Sequence, residues 1–247
     1  MDTPRITVVT VCYNAVDTIE KTILSVISQT YSNIEYIVID GNSIDGTVDV
    51  IKKYADRISK WVSEPDKGIY DAMNKGTDLA TGEWINFMNA GDLFVNEHVI
   101  ADVVPILRDE YDVVFGNTIL TTGHSNKFWK GRYRYNTIPE FCHQSSFILT
   151  RTMRQYRYAT KYIIAADTDF FYRLYKNKGT FYYVDTDVSL SNMNGLSSNN
   201  RAIVYREACE VFGNSPSRIK VLKYRIEDAM PIWFMKRLLP FVWFLRK

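Results

Sequence analysis

A few carboxylates and one His-Gln pair in this sequence occupy positions where α/β proteins do chemistry. Asp40 ends the apolar run Ile34 to Ile39 and is followed by the turn residues Gly41-Asn42-Ser43. A carboxylate at a strand end can accept hydrogen bonds from a nucleobase imide or a ribose hydroxyl, or it can simply close an Asx-type turn. Asp92 lies in Asn89-Ala90-Gly91-Asp92, directly after the run Glu83 to Met88. A hard divalent cation, Mg²⁺ or Mn²⁺, takes oxygen ligands and commonly one or two carboxylates beside phosphate oxygens; such a metal stabilises a departing diphosphate. The plain alternative at Asp92 is a polar loop with a turn glycine. Asp167, in IAADTDFFYRL, falls at a helix start, where the macrodipole favours the ionised form. It reads as a general base or as an ordinary N-terminal acid, and Asp169 competes for either role. His143-Gln144 reads equally as a site pair or as satisfied structural residues. Asp45, ahead of Gly46-Thr47, reads first as a helix cap.

These residues need a scaffold that gathers them. Arg5 to Tyr13 is a β-branched run suited to a strand buried on both faces. Val16, Ile19, Ile23, Val26 and Ile27 then recur at helical spacing up to Gln29. Ile34 to Asp40 is a second strand, and a helix opens at Asp45-Gly46-Thr47 and runs to about Ala55. Lys60 to Ser63 is a short strand. The turn Glu64-Pro65-Asp66-Lys67-Gly68 leads into a helix from Ile69 to Ala80, with Ile69, Ala72, Met73 and Gly76 as its buried face and Asp71, Asn74, Lys75 and Asp78 elsewhere. Glu83 to Met88 is the fourth strand. Strand and helix alternate throughout, which predicts a mainly parallel sheet with right-handed crossovers. Ligands of such sheets bind at the carboxyl ends of the strands. Tyr13-Asn14, Asp40, Asn89 and Asp92 all fall there, beside helix N-termini suited to a pyrophosphate.

The alternation then loosens. Val95 to Arg108 reads as a helix, Asp112 to Gly116 as a strand, Thr118 to Asn136 as irregular strands and Gln144 to Leu149 as a strand. Ile164 to Asn177 reads as a helix and Thr180 to Val184 as a strand. Ser189 to Asn200, rich in Ser, Asn and Gly, reads as a mobile loop, and two or three helices complete the chain.

At 247 residues and 46% apolar content the chain supports one good-sized core. Cys12, Cys142 and Cys209 are widely separated and odd in number, which speaks against a disulfide framework or a structural zinc site and suits a reducing cytosol. No signal peptide is expected from the N-terminus. No segment reaches the roughly 20 apolar residues of a membrane span. The net charge of +2 conceals an asymmetry: Ser215 to Lys247 carries eight Lys/Arg against two Asp/Glu, leaving the remainder acidic.

Four ordered segments resemble the family-2 glycosyltransferases of bacteria: VTVCYNAVDTIEKTILSVISQTYSNIEYIVIDGNSIDGT, SEPDKGIYDAMNKGTDLATGEWINFMNAGDLF, HQSSF and AADTDFFYRL. The resemblance covers roughly residues 5 to 200. It implies an α/β, GT-A fold with a mainly parallel central sheet flanked by helices and a C-terminal helical tail. It implies transfer of a sugar, with inversion, from a nucleotide-sugar that is expected to be UDP-linked, to a glycan or lipid-linked oligosaccharide acceptor in surface-polysaccharide biosynthesis. Asp40 would contact the uracil or ribose, Thr10, Cys12 and Asn14 would line the base pocket, and Asp66 would lie near the nucleotide. Asn89 to Asp92 occupies the place of the family's DXD-type motif. Asn89 and Gly91 stand where acidic members have Asp, so Asp92 is the one carboxylate left for a Mn²⁺ or Mg²⁺ ion. Asp167 matches the catalytic base. His143 and Gln144 would lie near the acceptor or donor sugar, and Asn194 and Ser197 would belong to a segment closing over the pyrophosphate.

The expected organisation is a catalytic domain over 1–214, with a nucleotide-binding half (1–94) and an acceptor half (95–214), followed by a basic, aromatic tail over 215–247. The tail ends in PIWFMKRLLPFVWFLRK. Trp beside Lys and Arg suits a membrane interface, which implies a cytoplasmic protein held on the inner face of the membrane. Packing on the domain or a homo-oligomer contact is the alternative. No nucleic-acid partner is expected. Two other functions fit less well. A sugar-1-phosphate nucleotidyltransferase would carry a Gly-rich basic loop where Tyr13-Asn14-Ala15 stands. A degenerate sugar-nucleotide-binding scaffold is kept open by Asn89 and Gly91.

Overall fold

The computed structural model describes residues 3–122, 125–133, 137–192 and 200–229. The described residues form two compact units, divided between Met193 and Asn194. The first is an α/β unit. Its strands are β1 (Ile6–Cys12), β2 (Ile34–Asp40), β3 (Lys60–Ser63), β4 (Trp84–Phe87), β5 (Leu93–Phe94), β6 (Val113–Thr121), β7 (Asn126–Trp129), β8 (Ser146–Leu149) and β9 (Phe181–Asn192). Its helices are α1 (Ile19–Ile27), α2 (Thr47–Lys53), α3 (Ile69–Leu79), α4 (Val99–Val103), α5 (Thr150–Tyr156) and α6 (Ala166–Lys176). One sheet runs in the order β3-β2-β1-β4-β8-β6-β9-β5, with β7 paired to β6.

The half from β3 to β4 is parallel, and its register levels the strand ends. Cys12 pairs with Asp40, and Asp40 with Ser63. Burial on both faces explains the unbroken apolar runs. Ile6 and Val8 join Ile19, Ile23 and Val26 of α1 in the core, and each fully buried side chain of this size contributes about 1.5–3 kcal/mol. On the opposite face Val9 meets α3, where Gly76 permits close approach: a Cβ there would lie 2.4 Å from Val9 Cγ1.

Beyond β4, where the alternation of strand and helix loosens, the sheet is mixed. β8 runs antiparallel to both β4 and β6, while β6 and β9 are parallel. β9 runs through Asn192, so Ser189 to Asn192 belongs to a strand and not to a loop. Pairing with β5, with Leu93 opposite Leu190, and a hydroxyl pair between Thr118 and Ser189 at 2.9 Å stabilise this polar stretch. β6 likewise continues past Gly116 to Thr121. The helix expected from Val95 to Arg108 is only α4 and a 3₁₀ turn, because Pro105 lacks the N–H that would continue it. In α3 the buried set is Tyr70, Ala72, Met73, Asn74, Gly76 and Thr77. Asn74 is inside, and Ile69 is only partly so, because two polar side chains of α3 anchor a later segment.

The second unit contains α7 (Arg201–Val211) and α8 (Arg218–Ala229). The Tyr205 and Tyr224 rings pack at 5.5 Å. Both oxygens of Asp228 accept backbone N–H groups at the start of α7, from Arg201 and Ala202, each at 3.1 Å. Among the described residues no helix is long and apolar enough to cross a membrane. Asn194, Ser197 and the segment 230–247 lie outside the described residues.

A Gly76→Val substitution is expected to destabilise the first unit by about 1–3 kcal/mol, the usual cost of overpacking. Thermal denaturation should report a Tm several degrees lower, and an unchanged Tm would contradict the contact between α3 and β1.

Candidate active site

The level ends of β1, β2 and β3 build one side of the site. Asp40 is fully buried. Its carboxylate accepts the Ser43 amide at 3.0 Å, the Ser43 hydroxyl, and the Ser63 hydroxyl at 2.6 Å, so it ties the ends of β2 and β3 to the following turn. Asn14, at φ 46°, joins that turn from β1: its amide donates to Ser43 Oγ at 2.8 Å and its Oδ1 accepts from the Ile44 amide at 3.1 Å. Asp66 lies against Gly41, whose absent side chain leaves room for the carboxylate, and it accepts the Gly68 amide at 2.8 Å. The ring of Tyr13, 64% exposed, borders the same glycine. Cys12 is buried at the rim, and burial together with Asp40 pushes its thiol far up, leaving a neutral S–H. Thr10 lies deeper and does not share the rim. Its hydroxyl donates to the Met88 carbonyl at 2.8 Å and pairs with Tyr36. Asp45 is not the cap of α2, whose N-cap is Gly46; it closes an Asx turn just before the helix, accepting the Thr47 amide and hydroxyl.

The other side is built by the antiparallel strand. Because β8 runs against β4, the residues entering β8 arrive where β4 ends. Asn86 of β4 secures them, donating from Nδ2 to the carbonyls of Gln144 and Ser146 at 3.0 and 2.9 Å. His143 and Gln144 therefore meet the Asn89-Ala90-Gly91-Asp92 loop. Gln144 Nε2 donates to Asp92 Oδ2 at 2.9 Å, and His143 Nε2 pairs with Asn89 Nδ2 at 3.2 Å. Gly91, at φ 98°, allows the turn.

His143 also bridges to the third element. Its Nδ1 lies 3.2 Å from Asp167 Oδ2. Asp167 sits in the first turn of α6, where its Oδ1 accepts the Thr168 amide at 2.7 Å and the Tyr70 hydroxyl at 3.3 Å. The single Tyr70 proton is shared with the Ile164 carbonyl, which is the nearer acceptor. One turn along α3, Asn74 makes a two-way contact with the Tyr158 backbone at 2.9 and 3.0 Å. Thus α3 holds the segment that delivers Asp167. Asp169 is engaged differently, in an ion pair with Arg173 at 2.8 Å.

The two carboxylates are driven in opposite directions. Burial pushes Asp92 above the usual carboxylate range, and the Gln144 hydrogen bond only partly offsets it. Burial pushes Asp167 the same way, but the His143 hydrogen bond and charge, the Thr168 amide and the Tyr70 hydroxyl outweigh it and hold Asp167 below its ordinary value. For His143, burial favours the neutral ring, yet Asp167 and then Asp92 raise it overall. The two carboxylates therefore sit in opposite electrostatic environments, Asp167 favoured in its ionised form and Asp92 penalised in it.

Among the described residues no group of three His, Cys, Asp or Glu side chains could hold a metal alone. The available oxygens are the Asp92 carboxylate and Asn89 Oδ1, a buried atom with no hydrogen-bond partner. One carboxylate and one amide oxygen fit a Mg²⁺- or Mn²⁺-type ion that completes its shell with substrate phosphate and water.

Sequence reasoning missed Tyr70, Asn74, Ser43 and Ser63. Tyr70 and Asn74 are four residues apart on α3, a polar pair on one helix face that could have marked an anchor.

Comparison with known proteins places these residues in context. The model of glycosyl transferase family 2 matches residues 7–179. A PGL/p-HBAD biosynthesis glycosyltransferase of Mycobacterium bovis is 28% identical over 211 residues, spanning 80% of this chain and 81% of the relative. The Escherichia coli UDP-Glc:alpha-D-GlcNAc-diphosphoundecaprenol beta-1,3-glucosyltransferase WfgD is 29% identical over 126 residues, 51% of this chain and 50% of the relative. Among solved structures, the mannosyltransferase PcManGT of Pyrobaculum calidifontis, in complex with GDP-Man and Mn²⁺, superposes with a TM-score of 0.68 at 17% identity, over 86% of this chain and 64% of that one. S. aureus TarS 1-349 with UDP-GlcNAc gives 0.65 at 17% identity, over 87% and 68%. At that identity the structural likeness speaks for the fold, which is GT-A.

The His143–Asp167 pair has a defined pH window. Asp167, lowered in the fold, contributes stability that is lost as pH falls through its folded value; His143, raised, contributes stability that is present below about 6.5 and lost as pH rises through its folded value. In an NMR titration His143 is expected to deprotonate above about 6.5, and in Asp167→Asn, where burial prevails, at or below it. The same midpoint in both proteins would rule out the pairing.

Proposed function

The chain belongs to glycosyl transferase family 2, and from that premise we propose that it moves a sugar from a UDP-linked donor, with inversion, to a glycan or lipid-linked oligosaccharide acceptor. It is a glycosyltransferase of polysaccharide or glycolipid biosynthesis. One observation supports the finer reading above all. Asp167, His143, Asn89, Gln144 and Asp92 form a connected set of polar contacts at the carboxyl end of the sheet.

In this reading the ionised Asp167 Oδ accepts the proton of the acceptor hydroxyl. The acceptor oxygen forms its bond to the anomeric carbon while the bond from that carbon to the diphosphate oxygen breaks on the opposite face, and the electron pair leaves with the phosphate. The Tyr70 hydroxyl and the Thr168 amide fix the carboxylate in its acceptor state. His143 occupies one Asp167 oxygen, and Gln144 beside it reaches Asp92 of the Asn89 loop. Asp92 and Asn89 Oδ1 would hold a divalent cation, which supplies positive charge for the departing diphosphate.

The nucleoside lies over the rim of β1 to β3. Tyr13 offers an aromatic face, and Asn14, Cys12 and Asp66 line the base pocket. Asp40 acts with Ser43 and Ser63, whose hydroxyls it holds; a ribose hydroxyl that reaches Asp40 does so by replacing one of them. Thr10 shapes the pocket from beneath. The basic tail, 215–247, holds the enzyme at the cytoplasmic face of a membrane, where a lipid-linked acceptor resides.

Asp167→Asn is expected to reduce sugar transfer by about 10²–10⁴-fold, the usual contribution of a positioned base, while calorimetry still detects UDP binding. Transfer at the wild-type rate would overturn the base assignment. Excess chelator is expected to abolish transfer and added Mn²⁺ to restore it. Full activity in chelator would remove the metal from the scheme.

A further inference from the structure

Among the described residues of the second unit, α8 presents an exposed apolar face. Ile219, Leu222 and Ile226 of α8 are 82%, 60% and 45% exposed. Spaced three and four residues apart, they form one apolar stripe along the helix. Beside it lies a cavity of about 460 Å³ lined by Arg206, Pro216, Arg218, Val221, Leu222 and Arg225. All three arginines are exposed, and none forms an ion pair with a carboxylate among the described residues.

The acids of α8 are committed elsewhere. Asp228 accepts the first amides of α7, and Glu227 pairs with Arg201 at 3.3 Å and Lys223 at 3.7 Å. Lys220 lies over the Tyr205 ring at 5.7 Å. The two acids of α8 are thus engaged away from Arg206, Arg218 and Arg225, which stand exposed next to the apolar stripe. A guanidinium matches phosphate oxygens in a bidentate geometry and is weakly hydrated, so it transfers to a phosphate layer at low cost. A second copy of α8 would set unpaired arginines against unpaired arginines, which charge repulsion opposes. Lipid phosphates above acyl chains complement both features at once.

We propose that α8 is an interfacial helix for an anionic bilayer: Ile219, Leu222 and Ile226 enter the acyl boundary, and Arg206, Arg218 and Arg225 take the headgroup phosphates. This rests on the membrane-surface reading given above and assigns it a site. It also separates the site from the sequence beyond residue 229, where Trp233, Phe234 and Trp243 stand among Lys236, Arg237, Arg246 and Lys247.

The test is co-sedimentation of the full chain with phosphatidylcholine vesicles, with and without phosphatidylglycerol. Wild type should sediment only when phosphatidylglycerol is present. The variant Arg206→Gln/Arg218→Gln/Arg225→Gln should bind on the order of 100-fold more weakly, since each basic residue near an anionic surface contributes about 1 kcal/mol. Ile219→Ser/Ile226→Ser should weaken binding with all charges kept. Circular dichroism matching wild type establishes that both variants are folded. If wild type binds no vesicle, the membrane-surface reading itself fails. If wild type binds and the arginine variant binds equally, the site proposed here is overturned while the membrane-surface reading survives. Equal binding to both vesicle types overturns the phosphate role. Concentration-dependent dimerisation that Leu222→Asn abolishes, without effect on vesicle binding, assigns the stripe to a second copy and overturns the proposal.

Discussion

An ionised carboxylate half-buried at the start of a helix requires donors, and the arrangement around Asp167 is organised to supply them. The first-turn amide of Thr168 comes from α6 itself, the hydroxyl of Tyr70 from α3, and the imidazole of His143 from the entry to β8. No two of these elements are neighbours in sequence. Each must be rigid for the carboxylate to stay ionised, because burial alone would push it toward the neutral acid. The contacts Asn74–Tyr158 and Asn86–Gln144/Ser146 fix the segments carrying Asp167 and His143, respectively. They explain why a helix and a strand otherwise built for packing carry buried amides.

The same geometry separates the two acidic residues. Asp167 is surrounded by donors, the His143 ring among them. Asp92 is more deeply buried, and Gln144, His143, Ser191 and the Asn192 amide offset that burial only in part. A buried negative charge of this kind is costly without a counter-ion. The orphaned Asn89 Oδ1 points to the same deficit on the neighbouring residue. The Asp40 side is different in kind. At Asp40 both oxygens are already engaged by Ser43 and Ser63, so that side is preformed by internal hydrogen bonds, whereas Asn89 Oδ1 has no internal partner.

The C-terminal hairpin applies the principle of charge placement to a surface. Asp228 and Glu227 of α8 engage the α7 start and so stabilise the hairpin.

Much of the nucleotide half was legible in the sequence because its signals are local. A β-branched run, a helical repeat and a turn cluster each identify themselves within about ten residues, and together they determined β1 to β4, the helices between them and the rim at Asp40 and Asp92. The family-like segments likewise singled out Asp167 and His143-Gln144 as site residues. What they could not convey was contact. The antiparallel direction of β8 decides that His143 meets Asn89 and that Gln144 meets Asp92, and strand direction leaves no mark in a four-residue apolar run. The polar strand ending at Asn192 was illegible for a related reason: its stability comes from β5 and β6, more than sixty residues away in the chain, and not from any alternation of its own. Local periodicity thus determined which elements form. Only the tertiary structure decided that a helix start, a strand entry and a loop after β4 converge, because hydrogen bonds between distant segments depend on packing that no short window of sequence contains.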